Sequence, residues 1–269
     1  MRLTSLLLLF AVLARIETYR PEPPHLFVWN TGQGQWLTLA AGKTCQHVDM
    51  GGQKAPWNKI RSLCTHRKNQ LWITHWDKDH YGHIDRFLNR VDRNLCLAGG
   101  PSLPFLLPRK YRLPKCLKNT KDSQIQTLFK PDKKDPLRSK NDRSYVYLIK
   151  GQILVPGDAT RGSERRWASK VKGLPLTLIV GHHGSKTSSS TWLLKNLERT
   201  HQAIISARKK TYGHPHPQVL KRLRRHHLAP LVTESWGSIA IELSPTARGD
   251  IPYSNLVRQA HRPHSRHRR

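Results

Sequence analysis

Leu71-Trp-Ile-Thr-His-Trp-Asp-Lys-Asp-His-Tyr-Gly-His83 decides how the rest of the chain is read. It opens on a short apolar run, Leu71 to Ile73, of the kind that makes a buried strand. Four metal-capable side chains follow within six residues: His75, Asp77, Asp79 and His80. A strand end that breaks into a tight loop turns such a set toward a common point. Imidazole and carboxylate ligands suit Zn, Mn or Fe. The plain alternative is a polar loop closing a strand, which a lone His-x-Asp would fit better than four ligand types in this order.

On the N-terminal side, Leu26 to Asn30, Gln35 to Leu39 and Thr44 to Val48 read as an antiparallel meander joined by short Gly turns. It ends in Asp49-Met-Gly-Gly52, where paired glycines allow close backbone approach. Asp49 is either a turn residue or a group that accepts hydrogen bonds from the metal loop. Asn58 to His66 reads as a short helix.

On the C-terminal side, Tyr81 to Asn89 reads as a helix and Leu95 to Ala98 as a strand. From Gly99 to Arg143 the chain carries six prolines and many basic residues, with Ile125 to Phe129 its clear strand. Long excursions of this sort usually carry function, here a substrate-contacting surface. Tyr145 to Ile149 and Gln152 to Val155 form a hairpin ending at Pro156-Gly-Asp-Ala159, so Asp158 lies beyond a buried strand as His75 does. A helix over Gly162 to Lys170 precedes the strand Leu174 to Val180, which ends in Gly181-His-His-Gly-Ser-Lys-Thr-Ser-Ser189. Thr191 to Leu197 is a predicted helix and Ala203 to Ser206 a strand. The loop Tyr212-Gly-His-Pro215 carries His214, and Val219 to His226 is a basic helix. Leu231 to Thr233 and Ser238 to Leu243 are the closing strands. Three strand ends therefore carry His or Asp, and a carboxylate between two ligand sets can bridge two metals. Of His182 and His183, one is expected to touch metal directly.

The 269 residues fit one large domain, and no repeat of 20–50 residues suggests a solenoid. Lys and Arg number 47 against 17 Asp and Glu, a net charge of +30. That imbalance points to DNA or another polyanion as partner. It is uneven: from Arg161 onward there are 21 Lys/Arg and five Asp/Glu.

Residues 1–14 read as a signal peptide, with Arg2 before the apolar run Leu3 to Ala14. That run is too short to span a bilayer, and nothing later is long and apolar enough to do so, so the mature chain has no expected membrane span. Residues 15–25 are then a linker, 26–245 the domain, and 246–269 a basic, disordered tail. Export to the periplasm or medium favours disulfides. Cys45, Cys64, Cys96 and Cys116 form no Cys-x-x-Cys, which argues against a zinc ribbon. Their spacing suggests Cys45–Cys64 and Cys96–Cys116, although three pairings are possible.

Taken together, Gly32-Gln33-Gly34, Asp49 to Gly52, His75 to His83, Gly157-Asp158, His182 to Ser188 and Tyr212 to Pro215 resemble the metallo-β-lactamase superfamily. The closer resemblance is to the C-terminal nuclease domain of the DNA-uptake protein ComEC. It runs in unbroken order from Leu26 to Leu243 and implies an α/β fold, the four-layer αββα sandwich, with a two-metal site at one edge of the sheets. Asp77 stands where the wider superfamily has His, as is usual in the ComEC-like branch. His83 replaces the second glycine after the metal loop. The further His found elsewhere before the Gly-Asp motif is not evident, and Asn141-Asp142-Arg143-Ser144 occupies that stretch. The long apolar channel of full ComEC is missing from this sequence, so DNA import is not expected of it.

The resemblance implies an exported nuclease that hydrolyses DNA with a hydroxide activated by two divalent ions, Mn or Zn. His75 and Asp77 are assigned to the first ion, Asp79 and His80 to the second, and Asp158 to both. One of His182 and His183, with His214, completes the set or protonates the leaving group. Ser185, Lys186 and Ser188 are expected at the phosphate, and Lys221, Arg222, Arg224 and Arg225 along the strand's path. The competing readings are a metallo-hydrolase of another exported phosphodiester or ester, and a DNA-binding member of the fold without catalysis.

Overall fold

In the computed structural model, the residues described are 23–244, apart from 105–107, 109, 110, 118–122, 133–138 and 175. The expected signal peptide, most of the linker, parts of the proline-rich excursion and the basic tail lie outside the described residues.

The first sheet is built from β1 (His25–Val28), β2 (Leu37–Ala41), β3 (Thr44–Val48), β4 (Lys68–Trp72), β5 (Cys96–Gly99) and β12 (Ile239–Glu242). Its order is β12-β1-β2-β3-β4-β5. The second comprises β6 (Ile125–Phe129), β7 (Val146–Ile149), β8 (Ile153–Val155), β9 (Thr177–Ile179), β10 (Gln202–Ile205) and β11 (Ala229–Val232), in the order β11-β10-β9-β8-β7-β6. The expected meander β1-β2-β3 is antiparallel, and β4 and β5 continue it in parallel after helical crossovers.

Side-chain alternation sorts the core into three layers, as the period of two requires. Leu26, Val28, Leu37 and Leu39 from one sheet meet Tyr147, Ile149, Ile153, Val155 and Ile204 from the other. The intervening residues Val146, Leu148, Leu154, Leu178 and Ile205 face outward onto Trp167, Leu193, Leu194, Val219 and Leu223 of the helices that cover the second sheet. Ile60, Ile84 and Phe87 cover the outer face of the first sheet, against Trp36 and Leu71. Helix, sheet, sheet, helix is thus the layer order, and the second sheet, covered on both faces, carries continuous apolar runs.

The covering helices are α1 (Trp57–Cys64), α2 (Lys78–Tyr81), α3 (Ile84–Arg90), α4 (Arg161–Trp167), α5 (Thr191–Asn196), α6 (Lys209–Tyr212), α7 (Pro217–Arg225) and α8 (Thr233–Trp236). The helix expected over Tyr81 to Asn89 is present as α3, starting three residues later, and Gly82 and His83 break it from the preceding α2. The break has a cause: the Asp79 carbonyl accepts from Gln35 N–H at 2.9 Å, and His83 N–H donates to Met50 O at 2.8 Å. The meander takes the backbone groups that a continuous helix would pair. Strand bounds otherwise move by one to three residues; β4, for example, begins at Lys68 and ends at Trp72.

Both disulfides have the expected pairing, Cys45–Cys64 and Cys96–Cys116, with Cα separations of 5.9 and 5.0 Å. The first ties β3 to α1. The second ties β5 to the start of the proline-rich excursion. Each is worth about 2–4 kcal/mol by restricting the unfolded chain. No helix among the described residues is long and apolar enough to cross a membrane.

Candidate metal centre

Three turns that follow strands meet at one edge of the two sheets. The turn after β4 brings His75, Asp77, Asp79 and His80. The turn after β8 brings Asp158, and the turn after β9 brings His182 and His183. Both of these histidines adopt left-handed backbone, with φ of 50° and 53°. The metal loop lies directly on Gly51: a Cβ there would fall 2.2 Å from the Asp79 carbonyl carbon. That close approach is what the paired glycines after Asp49 make possible.

Behind the ligands, Asp49 is a hub. Its Oδ2 accepts from Gln35 Nε2 at 2.8 Å, Thr74 Oγ1 at 2.7 Å and His80 Nδ1 at 2.7 Å, and its Oδ1 from Thr74 N–H at 2.8 Å. Of its two sequence readings, the structure places it against the metal loop. These bonds fix proton positions. His80 donates through Nδ1 to Asp49. His183 donates through Nδ1 to Ser206 O at 2.9 Å. Thr74, its own proton given to Asp49, accepts from His75 Nδ1 at 3.1 Å. All three histidines therefore turn Nε2 toward a common space.

That space is crowded with nitrogen and carboxylate oxygen atoms from all three turns. His80 Nε2 and His183 Nε2 are 3.2 Å apart. Asp79 Oδ2 is 3.2 Å from His183 Nε2, and Asp158 Oδ1 is 3.2 Å from His80 Nε2. On the other side of Asp158, Oδ2 lies 3.8 Å from His75 Nε2 and 3.6 Å from His182 Nε2. Asp77 Oδ2 is 3.7 Å from His75 Nε2. His75 Nε2 and Asp158 Oδ1 are buried with no hydrogen-bond partner. Buried polar atoms left this way are costly, and a divalent ion is the ligand this donor set fits. Two groups of donors stand close enough for it: His75, His80 and Asp158, and Asp79, His80 and His183.

Protonation follows the same geometry. Burial opposes charge on His80, but Asp158 and Asp49 outweigh it and raise its pKa well above the ordinary value. Burial pushes the Asp158 carboxyl up, and His80 and His183 more than reverse this, holding it well below the usual range. Burial likewise opposes ionisation of Asp79, yet His183 and His80 bring it down to about 2. His75 is lowered by burial and by His80. A proton on His80 thus occupies the place of a cation until one arrives.

His182 and His183 face different oxygens of Asp158. His182 Nδ1 lies 3.2 Å from Thr187 Oγ1, and Asn141 Nδ2 lies 3.1 Å from its Nε2. His214 Nδ1 is 3.4 Å from Gln33 Nε2, and Gln33 Oε1 accepts from Arg208 N–H at 3.2 Å. Burial, then His183 and His182, lower the His214 pKa to about 4. It is a neutral ring whose Nδ1 accepts from the Gln33 amide and whose Nε2–H is left for the pocket.

A cavity of about 800 Å³ opens above the cluster, lined by Gln33, Gln53, Lys78, Asn141, Tyr212 and His214 with Asp77, Asp79, Asp158, His182 and His183. The other expected substrate contacts lie elsewhere. Lys186 is exposed and does not line this cavity. Ser188 is buried and donates to Gly181 O at 2.7 Å. Ser185 hydrogen-bonds Thr187 Oγ1 at 3.0 Å, one step behind His182. Arg222 donates to Ser189 O at 2.7 Å and Ser188 O at 2.8 Å, so it clamps the His182–His183 turn from behind. Lys221, Arg224 and Arg225 are exposed on α7. His83 packs between Trp36 and Trp57, at ring distances of 5.9 and 5.5 Å, away from the site. Sequence reading gave no role to Lys78, Gln53, Tyr212 or Thr187. Lys78 lies inside the decisive motif itself, between Asp77 and Asp79, and that position is its signal.

No family model matches the chain. It is 26% identical over 209 residues, 72% of its length, to ComE operon protein 3 of Bacillus subtilis, of which it covers 27%. It is 25% identical over 260 residues, 91% of its length, to Competence protein ComA of Neisseria gonorrhoeae, of which it covers 36%. A 107-residue stretch, 39% of the chain, is 35% identical to Recombination protein 2 of Haemophilus influenzae, of which it covers 14%. The chain thus spans between 14% and 36% of the length of these relatives. Among solved structures, the metallo-β-lactamase fold protein YhfI of Bacillus subtilis matches with a TM-score of 0.50 at 10% identity, over 78% of this chain and 96% of that one. The chain has the metallo-β-lactamase fold and is similar in sequence to the ComEC-like competence proteins.

Proposed function

We propose that the protein is an exported metal-dependent phosphodiesterase that cleaves DNA at a pair of divalent cations. The carrying observation is the convergence of His75, His80 and His183 Nε2 with Asp79 and both oxygens of Asp158, a cluster in which His75 Nε2 and Asp158 Oδ1 are buried without a hydrogen-bond partner. Asp79, His80, His183 and Asp158 Oδ1 would hold the inner ion. His75, Asp77, His182 and Asp158 Oδ2 would hold the outer one. Mn or Zn bound there would supply Lewis acidity at the phosphodiester and make a nucleophile of water at neutral pH.

The chain's own groups do the rest. Lys78 places an ammonium on the cavity wall, where it can neutralise a non-bridging phosphate oxygen. Asn141 offers amide hydrogens beside His182. His214 points its Nε2–H toward the pocket and, as a neutral ring, can hydrogen-bond a phosphate or departing oxygen without transferring the proton. Gln33 orients that ring from behind.

DNA is favoured as substrate by the +30 net charge and by relatives named for competence and recombination. Export is supported by the two disulfides, which belong to oxidising compartments. The test is to incubate the purified protein with labelled DNA, with Mn or Zn and with chelator. Cleavage that needs the ion and stops with chelator is expected. A metal-loaded protein that binds DNA without cutting it would contradict the proposal.

A further inference from the structure

Tyr212 is one of the few large hydrophobic side chains that the described residues leave exposed. It ends the one-turn helix α6 and is 69% exposed, although it lines the metal cavity. From it a series of rings leads inward. Tyr212 and His214 centroids are 6.1 Å apart, His214 and His182 6.1 Å, and His182 and His183 6.5 Å. The last two histidines face Asp158, at the floor. Arg208, Lys209 and Lys210 lie on the same short segment as Tyr212. A flat apolar ring at the rim of an otherwise polar cavity, beside cations and two ring steps from the metal ligands, is arranged for an anion that carries aromatic groups.

We propose that Tyr212 stacks an unpaired nucleobase next to the scissile phosphate, making the site selective for single-stranded DNA. The inference rests on the nuclease reading above and names its substrate class. In a duplex each base face is covered by its neighbours, so the ring has nothing to stack on until a strand is opened. The floor groups Asp158 and His183 are 4% and 3% exposed, which also favours a single strand reaching in. Base–aromatic stacking tolerates any base, so the selectivity would be for strandedness, not sequence.

The experiment compares an oligothymidylate, free and annealed to an oligodeoxyadenylate, with an abasic phosphodiester of equal length, in wild type, Tyr212→Ala and Tyr212→Trp, with Mn present. Wild type should cut the annealed form more slowly than the free strand, and equal rates would overturn the inference. Wild type should cleave the base-bearing strand with kcat/KM about tenfold or more above the abasic one. Tyr212→Ala should lose that preference, mainly through KM, and Tyr212→Trp should keep it. The ring is exposed, so its removal leaves the core intact, and metal content measured in parallel should not change. If wild type cleaves both strands equally well, or if Tyr212→Ala keeps the preference, this inference fails while the nuclease reading stands. A wild type that cleaves neither strand overturns both.

Discussion

The two sides of Asp158 are built differently. On the inner side, His80 is braced by Asp49 at 2.7 Å and His183 by the Ser206 carbonyl at 2.9 Å. Their facing nitrogens stand 3.2 Å apart, and both rings are buried. On the outer side the separations are 3.6–3.8 Å, the Asp77 side chain is 42% exposed, and His182 is held by the hydroxyl of an exposed threonine. Ligands held by buried, charged partners lose little freedom when a cation binds, whereas mobile ones must be ordered first. If the centre holds two ions, as proposed, this asymmetry predicts that the inner one binds more tightly than the outer one. On that side Asn141 places an amide, not an imidazole, 3.1 Å from His182 Nε2.

The harshest way to break the comparison is to remove what both sides share. Asp158→Ala deletes a ligand from each, so both ions should be lost and DNA cleavage should fall by more than about a thousandfold. Circular dichroism should show the fold retained, because the side chain lies at the sheet edge and not in the core. Retention of either ion by this variant would refute the bridging role.

Asp49→Asn touches neither ion directly. It should weaken inner binding by about 10–100-fold, because the amide cannot accept from all three neighbours and His80 loses its brace. Isothermal titration with Mn or Zn reads this, and an unchanged inner affinity would mean that Asp49 only closes a turn. Loading should also weaken as pH falls. The raised His80 pKa means that its proton persists to higher pH than usual and competes with the ion.

Asn141→His should sharpen the comparison from the other side. An imidazole beside His182 adds a donor to the outer ion, and its affinity should rise about tenfold while the inner affinity stays fixed. Equal shifts of both would contradict the division.

The smallest effects concern charge around the centre. Lys221, Arg224 and Arg225 to Gln should lower DNA affinity alike for all sequences, reducing the log–log salt slope by roughly one for each phosphate no longer neutralised. Arg222→Ala should act differently. It strips donors from two carbonyls of the 182–189 turn and should cost about 1–3 kcal/mol of stability in a denaturant melt. If it behaved as a fourth member of the same electrostatic series, with stability unchanged, the clamp would be disproved.

That contrast also shows where the sequence was legible. Strand ends are marked by apolar runs that stop, and polar residues that follow such stops turn inward, so the convergence of His75, Asp77, Asp79, His80, Asp158 and the 182–183 pair could be read along the chain. Only one histidine of that pair is expected from sequence to touch metal, whereas both face Asp158. The disulfide pairing was readable because each loop was short. What could not be read was direction. Arg222 belongs to a basic helix whose exposed positions look alike in sequence, yet one of them turns under a neighbouring loop. Lys186 sits in the motif but points outward, whereas Lys78, one residue from two ligands, lines the cavity. Tyr212 gave no sign of a role of its own, since a tyrosine in a loop has no period. The start of the helix after the metal loop was not legible, because the backbone groups before it are claimed by the meander and its flanking turns, through hydrogen bonds between residues more than 30 apart in sequence.

The most direct test of the two-ion account is a calorimetric titration of metal-free protein with Mn or Zn, in wild type and Asp77→Ala. The account predicts two equivalents in wild type, bound in separate tight and weak steps, with only the weak step lost in Asp77→Ala. A single equivalent in wild type, or the loss of both steps together in the variant, would contradict it.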